Sequence, residues 1–226
     1  MNEMDAFHQK ELEDFLHPHF ESTDALMNFL SDAFDYENGS ITKRQMLFQI
    51  QRFVSLANNI EKISPHSDGL KILFLKICLE SLQSLSNSNK DIFYDTFYDS
   101  FSSEARDYIL DHFKLLFFDD EYCGHTFEAY HDITLSDFFW IIKTIRDRIA
   151  HDGEHWSIQF FALDEDSKWL TSMKTDEKII KSYQYHRTGK KTVEYHFETT
   201  LNYERFTFYF VEACISYINR ITTNEV

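Results

Sequence analysis

Five glycines and two prolines in 226 residues leave this chain few places to turn sharply. Tight turns draw on Gly for positive φ and on Pro for a preset φ, so a barrel or sandwich of many short strands is poorly served. The chain is nonetheless built to pack. Hydrophobic residues make up 43% and aromatic residues 17%, with 23 Phe and 12 Tyr, a content that disordered chains lack. Long helices joined by few turns fit both facts. The expectation is one domain of ordinary size over residues 1–226.

Charge narrows the function. Twenty-two Lys and Arg stand against 38 Asp and Glu, a net of −16. That disfavours a generic duplex binder working through a broad basic surface. The acidity is uneven: residues 1–140 carry a net of −15 and residues 141–226 a net of −1. An anion-handling site is expected in the last third. Cys78, Cys123 and Cys214 are too few for a disulfide framework and read as reduced thiols. The N-terminus has the acidic character of no signal peptide, and no run reaches the roughly 18 apolar residues of a membrane span. A cytoplasmic protein with no membrane partner is the expectation.

Periodicity predicts a mainly α fold. Helices are expected at Asp24–Phe34, from an N-cap at Thr42 to Ile63, and from Asp68 through Leu85, the last apolar nearly all round and therefore central. Shorter helical pieces follow, bearing Phe93, Phe97, Phe101, Tyr108, Ile109, Phe113 and Leu116, with a loop from Asp119 to Gly124. The run Thr134-Leu-Ser-Asp137 resembles a capping box, opening a helix that runs to His151 and stops at Gly153. The period then changes. Ser157–Leu163, Trp169–Met173, Ile179–His186 and Thr192–Phe197 read as strands, the last two as a hairpin about Thr188-Gly189. Asn202 caps a final helix with Phe206, Phe210, Cys214, Tyr217 and Ile221 aligned. The architecture expected is a helical bundle with a small antiparallel sheet inserted before the C-terminal helix. The helical core spans about 24–156 and 202–221, and the insertion about 157–197.

The informative stretch is Ile145-Arg146-Asp147-Arg148-Ile149-Ala150-His151-Asp152-Gly153. At about 100° per residue, Phe138, Ile141, Ile142, Ile145 and Ile149 share one face, while Lys143, Asp147 and His151 lie away from it and Arg146 on the flank. Asp147 and His151 are four apart, so the carboxylate is expected to hydrogen-bond the ring. Phe139 and Ala150 are expected on the exposed face.

These residues resemble the HEPN family, helical domains named for nucleotide binding in higher eukaryotes and prokaryotes. Its hallmark is an Arg, usually followed by Asn, Asp or His, and a His a few residues on. Arg146, Asp147 and His151 fill those places with four residues between Arg and His. The apolar helix before the Arg, Ile149-Ala150 before the His and Gly153 after it add to the likeness. So does Ile77-Cys78-Leu79-Glu80-Ser81-Leu82, similar to an aliphatic helix of some bacterial branches. The likeness covers residues 42–156 and the last helix, and leaves out the sheet. Gly153 stands where the branch silenced by a nucleotidyltransferase has Tyr, which puts that regulation in doubt.

The resemblance implies metal-independent RNA cleavage, as a toxin or phage-defence effector. His151 would exchange a proton with the ribose 2′-OH or the leaving 5′-oxygen, and Arg146 would bind the phosphate in a fork. One helix offers one such set, so the resemblance also implies a homodimer whose two sets share a cleft. Lys143 and Arg148, with Arg187, Lys190 and Lys191 of the hairpin tip, are the expected RNA-binding cations. RNA, a second copy of the chain and an antitoxin or defence-system protein are the expected partners. No cofactor and no metal are called for. The alternative is a catalytically inactive HEPN-like module that binds a nucleotide or a protein, with Arg146 and His151 in a surface ion network. Two further Arg–His spacings, Arg106 with His112 and Arg148 with His155, read as incidental. His151, Glu154 and His155 form only a weak zinc pattern, because Gly153 interrupts the helix.

Overall fold

A computed structural model describes residues 3–35, 39–64, 67–119, 126–153, 158, 160, 169–175 and 193–223. Eight α-helices and four strands lie within them: α1 (Glu3–Leu16), α2 (Thr23–Phe34), α3 (Ile41–Asn59), α4 (Asp68–Leu85), α5 (Lys90–Tyr98), α6 (Ser103–Asp111), β1 (Phe113–Asp119), β2 (Thr126–His131), α7 (Leu135–Asp152), β3 (Trp169–Thr175), β4 (Val193–Thr199) and α8 (Tyr203–Thr223). The fold is mainly α with a small antiparallel sheet. None of the described helices is long and apolar enough to cross a membrane.

Short polar residues open the helices. Ser22, Asn89, Ser102 and Asn202 accept bonds from backbone N–H groups of the first turns of α2, α5, α6 and α8, each meeting a donor the helix itself leaves unmatched. The start of α3 differs from expectation. Ser40 rather than Thr42 takes the capping bond, accepting from Lys43 N at 3.1 Å. The helix α3 also ends earlier, at Asn59, and closes in a 3₁₀ turn over Ile60–Lys62. Asn87, with φ of 52°, turns the chain between α4 and α5, the left-handed region that Asn tolerates best after Gly.

The chain divides into two compact units. The first comprises Met1–Leu56, Ile77–Phe101 and Phe208–Val226. Its core joins Leu26, Leu30, Leu47, Ile50 and Leu82 to an aromatic cluster. In that cluster Phe93 meets Tyr217 edge-on at 5.0 Å, and Phe97 meets Phe210 at 6.0 Å. Edge-on contacts suit aromatic quadrupoles. Cys78 and Cys214 are free and fully buried here, and burial, then the neighbouring Cys78 thiol, pushes the Cys214 thiol well above its usual pKa.

The second unit, Ala57–Lys76 and Ser102–Thr207, holds the whole sheet and α7. The strand order is β2-β1-β4-β3, all antiparallel. This corrects the sequence reading in two ways. Phe113–Asp119 forms a strand rather than continuing a helix, because α6 stops at His112, whose carbonyl accepts from Thr200 N at 2.9 Å and ties the chain to the end of β4. The sheet therefore does not lie wholly after α7. β3 pairs with β4 from Trp169↔Thr199 to Thr175↔Val193. The expected strands 157–163 and 179–186, and the hairpin tip, lie outside the described residues apart from Ile158 and Phe160.

Phe113 is the hinge of this unit's core. Its ring packs on Phe138 of α7 at 5.1 Å and on Phe197 of β4 at 5.3 Å, and Phe138 in turn meets Phe206 at 5.7 Å. All four are buried. One helix, one sheet and the start of α8 thus share one aromatic contact set, which anchors α7 by its apolar side. Tyr108 Oη accepts from Asn202 N at 2.9 Å, and Asp68 Oδ2 accepts from Phe160 N at 2.7 Å. The second bond secures the chain beyond α7 to the first turn of α4.

Candidate functional site

The candidate site is the polar side of α7. Thr134 and Asp137 form the expected capping box: Thr134 Oγ1 accepts from Asp137 N at 3.1 Å, and Asp137 Oδ2 accepts from Thr134 N at 3.0 Å. Gly153 ends the helix at φ of 71°, its N–H donating to Ile149 O. Between these ends Phe138, Ile141, Ile142, Ile145 and Ile149 are buried, as their spacing requires. Their burial fixes which residues face outward. Lys143, Arg146, Asp147 and Arg148 are half-buried, and Ala150, His151 and Asp152 are exposed.

Asp147 organises this side. Its Oδ2 accepts from Lys143 Nζ at 2.8 Å and its Oδ1 from Arg146 Nη1 at 2.8 Å. Partial burial raises the carboxyl's pKa, but the hydrogen bond and charge of Lys143, then those of Arg146, outweigh it and hold the group below the usual carboxylate value. The ammonium of Lys143 also lies 5.6 Å from the centre of the Trp140 ring, close enough for a cation–π contact. Trp140 belongs to this site, and its place three residues before Lys143 on a helix is the signal that would have found it.

Two expectations about the site are overturned. The anticipated Asp147–His151 bond is not among the bonds of the described residues. Both carboxylate oxygens are taken by permanent cations, whose charge-assisted bonds are stronger than one to a neutral imidazole. His151 therefore stands exposed at the helix end with its ring free of Asp147. Phe139 is also not on the exposed face. It is only 3% exposed and packs edge-on to Phe138 at 5.3 Å. The buried face of α7 is wider than a single stripe, because it rests on the second unit's aromatic core.

The rival Arg–His spacing serves structure. His112 caps α6, with Nδ1 2.8 Å from Tyr108 O and its ring 4.3 Å from the Tyr108 ring. Arg187, Lys190 and Lys191 lie outside the described residues, as do His155, Glu154 and Cys123. Among the described residues no three His, Cys, Asp or Glu side chains gather into a metal-binding group.

The arrangement supplies two cations held in register by one carboxylate, with an accessible imidazole one turn further on. The cations can bind a phosphodiester and offset charge that develops on it. The imidazole has a ring nitrogen that can give or take a proton. In comparisons with known proteins the chain matches no family model, no curated protein and no solved structure.

Proposed function

We propose that the polar side of α7 is one half of a metal-independent endoribonuclease site of HEPN type, completed by a second copy of the chain. The observation that carries this reading is the Lys143–Asp147–Arg146 network beside an exposed His151, on a helix whose opposite face is locked into an aromatic core. Surface ion pairs contribute little to stability. Their value here is positional: Asp147 holds both cations on the side where His151 emerges.

In the proposed reaction His151 of one copy takes the proton of the 2′-OH as the oxygen attacks phosphorus. His151 of the second copy protonates the 5′-oxygen as the P–O bond breaks. Arg146 pairs with the non-bridging oxygens, and Lys143 and Arg148 bind the flanking backbone. The placement in toxin or defence systems, and a regulatory protein partner, rest on the family resemblance alone.

The test is incubation of the purified chain with total RNA in excess EDTA. Cleavage leaving 2′,3′-cyclic phosphate ends is the expected result, lost in His151→Ala and Arg146→Ala. An intact RNA pool at neutral pH would overturn the proposal and leave a non-catalytic binding role for this face.

A further inference from the structure

The C-terminal half of α8 has a polar side that the proposed nuclease site does not use. Glu212, Ser216, Asn219 and Arg220 recur at helical spacing, turned away from the buried Phe210, Cys214 and Tyr217. Together with Ile215, with Thr96 of α5 and with His19 they line a groove of about 770 Å³ within the first unit. That volume falls in the usual range of small-molecule sites, roughly 300–1,000 Å³.

The two ends of the groove differ in chemistry. At one end His19 sits on the 3₁₀ turn His17–His19, which Pro18 helps to set. Leu16, fully buried, and Phe20, packed on Phe29 at 5.2 Å, hold the turn from either side. The His19 ring stacks on Phe208 at 4.6 Å and 28°. Burial lowers its pKa to about 4, so the ring is neutral at neutral pH. Its Nδ1 is buried without a hydrogen-bond partner among the described residues and is out of a ligand's reach, which leaves Nε2 as the ring nitrogen that can meet one. Glu212 lies one turn beyond Phe208 on the same helix.

At the other end Arg220 donates through Nη2 to Asp99 O at 2.8 Å. That bond anchors the guanidinium at the end of α5. No carboxylate pairs with it among the described residues, so the rest of its fork is open to an anion. Ser216, four residues earlier, lies on the same face, the two Cβ atoms about 6 Å apart. From Glu212 to Arg220 the helix rises about 12 Å.

We propose that this groove binds a phosphate-bearing metabolite of about mononucleotide length, with its phosphate on Arg220 and Ser216 and the N–H or O–H donors of its body on Glu212 and His19. A guanidinium and a hydroxyl suit a tetrahedral anion. A carboxylate and an unprotonated imidazole nitrogen accept from donors. Thr96 and Ile215 line the span between. A bare anion fits poorly, because Glu212 and the net charge of −16 repel it; the ligand's body must contribute.

Calorimetric titration of the full chain with guanosine monophosphate, glucose 6-phosphate, guanosine, glucose and inorganic phosphate tests this. At least one of the two phosphorylated organic probes is expected to bind with Kd below about 1 mM. Its unphosphorylated counterpart and inorganic phosphate are expected to bind at least about tenfold more weakly. Arg220→Gln and Glu212→Gln should each weaken the bound probe by about tenfold or more at unchanged melting temperature. Ser216→Trp, which fills the groove from a half-buried helix position, should abolish binding. Failure of both phosphorylated probes at millimolar concentration overturns the proposal and leaves a water-filled surface groove. Binding that the three substitutions leave unchanged overturns it as well. The readout is binding and not RNA cleavage, so His151→Ala is expected to leave it intact and the two proposals stand or fall separately.

Discussion

Asp147 accepts from both Lys143 and Arg146, so its protonation should loosen two cations at once. Its pKa is held below the ordinary carboxylate value. The stability the network contributes is therefore complete above the ordinary value and is lost as pH falls through the lower, folded-state one. A titration of the Asp147 carboxyl by NMR should give a midpoint below that of an unstructured Asp; a midpoint at or above it would remove the network. The side chains are about one third exposed, 32% for both Lys143 and Asp147, so Asp147→Asn should cost less than ~1 kcal/mol of stability. His151 is exposed, so His151→Ala should melt as wild type does. Loss of an acid–base group should slow RNA cleavage about 10²- to 10⁴-fold. His112→Ala should do the reverse, lowering the melting temperature through its lost contact with Tyr108 while leaving cleavage alone. Arg146→Lys should restore little, because an ammonium lacks the planar fork.

The element that matters most is α7, and its two ends were legible in the sequence. Thr134-Leu-Ser-Asp137 and Gly153 are local signals: a capping box and a left-handed stop depend on a few adjacent residues. Thr134→Ala should destabilise by about 1 kcal/mol in denaturant unfolding. Gly153→Ala meets nothing within 4 Å of the added Cβ, so its cost should be backbone strain alone, about 1 kcal/mol. A much larger loss would mean that the helix end is crowded by chain beyond it. Phe139 was less legible. Its exposure depends on how much of the helix the sheet and α8 cover, and spacing along one helix does not carry that. β1 is a similar case. Phe113-Lys-Leu-Leu-Phe-Phe118 satisfies helix and strand alike in a short window, and pairing with β4, some eighty residues away, decided it.

At the scale of the molecule, a composite site requires two copies. Burial of Phe139 removes one argument for a dimer, since that ring is not left in water. The argument that remains is chemical: one helix presents one imidazole, and cleavage needs a base and an acid. Light scattering at tens of micromolar should give twice the chain mass of 27.1 kDa. A monomer that cleaves RNA would overturn the two-copy site, and a monomer that does not would favour the inactive binding role. The symmetry expected is a closed two-fold, in which each α7 meets its copy.

Composition and period determined much of this protein. Few Gly and Pro, abundant Phe and long 3.6-residue patterns made a mainly α fold the economical answer, and α2, α4, α7 and α8 stand close to where their patterns put them. The Arg146–His151 spacing marked the helix end where cations and an imidazole meet. Those features depend on neighbours within one or two turns, which a sequence displays directly. Which partner Asp147 takes was settled locally, within two turns of one helix, where two cations prevail over one imidazole. Tertiary structure alone decided the rest: that Phe139 is buried, that residues 113–119 and 126–131 become strands, and that His19, Thr96 and Arg220 line one groove. Each rests on groups brought together from separate parts of the chain. Such outcomes follow from which contacts packing allows, and no local window contains both partners.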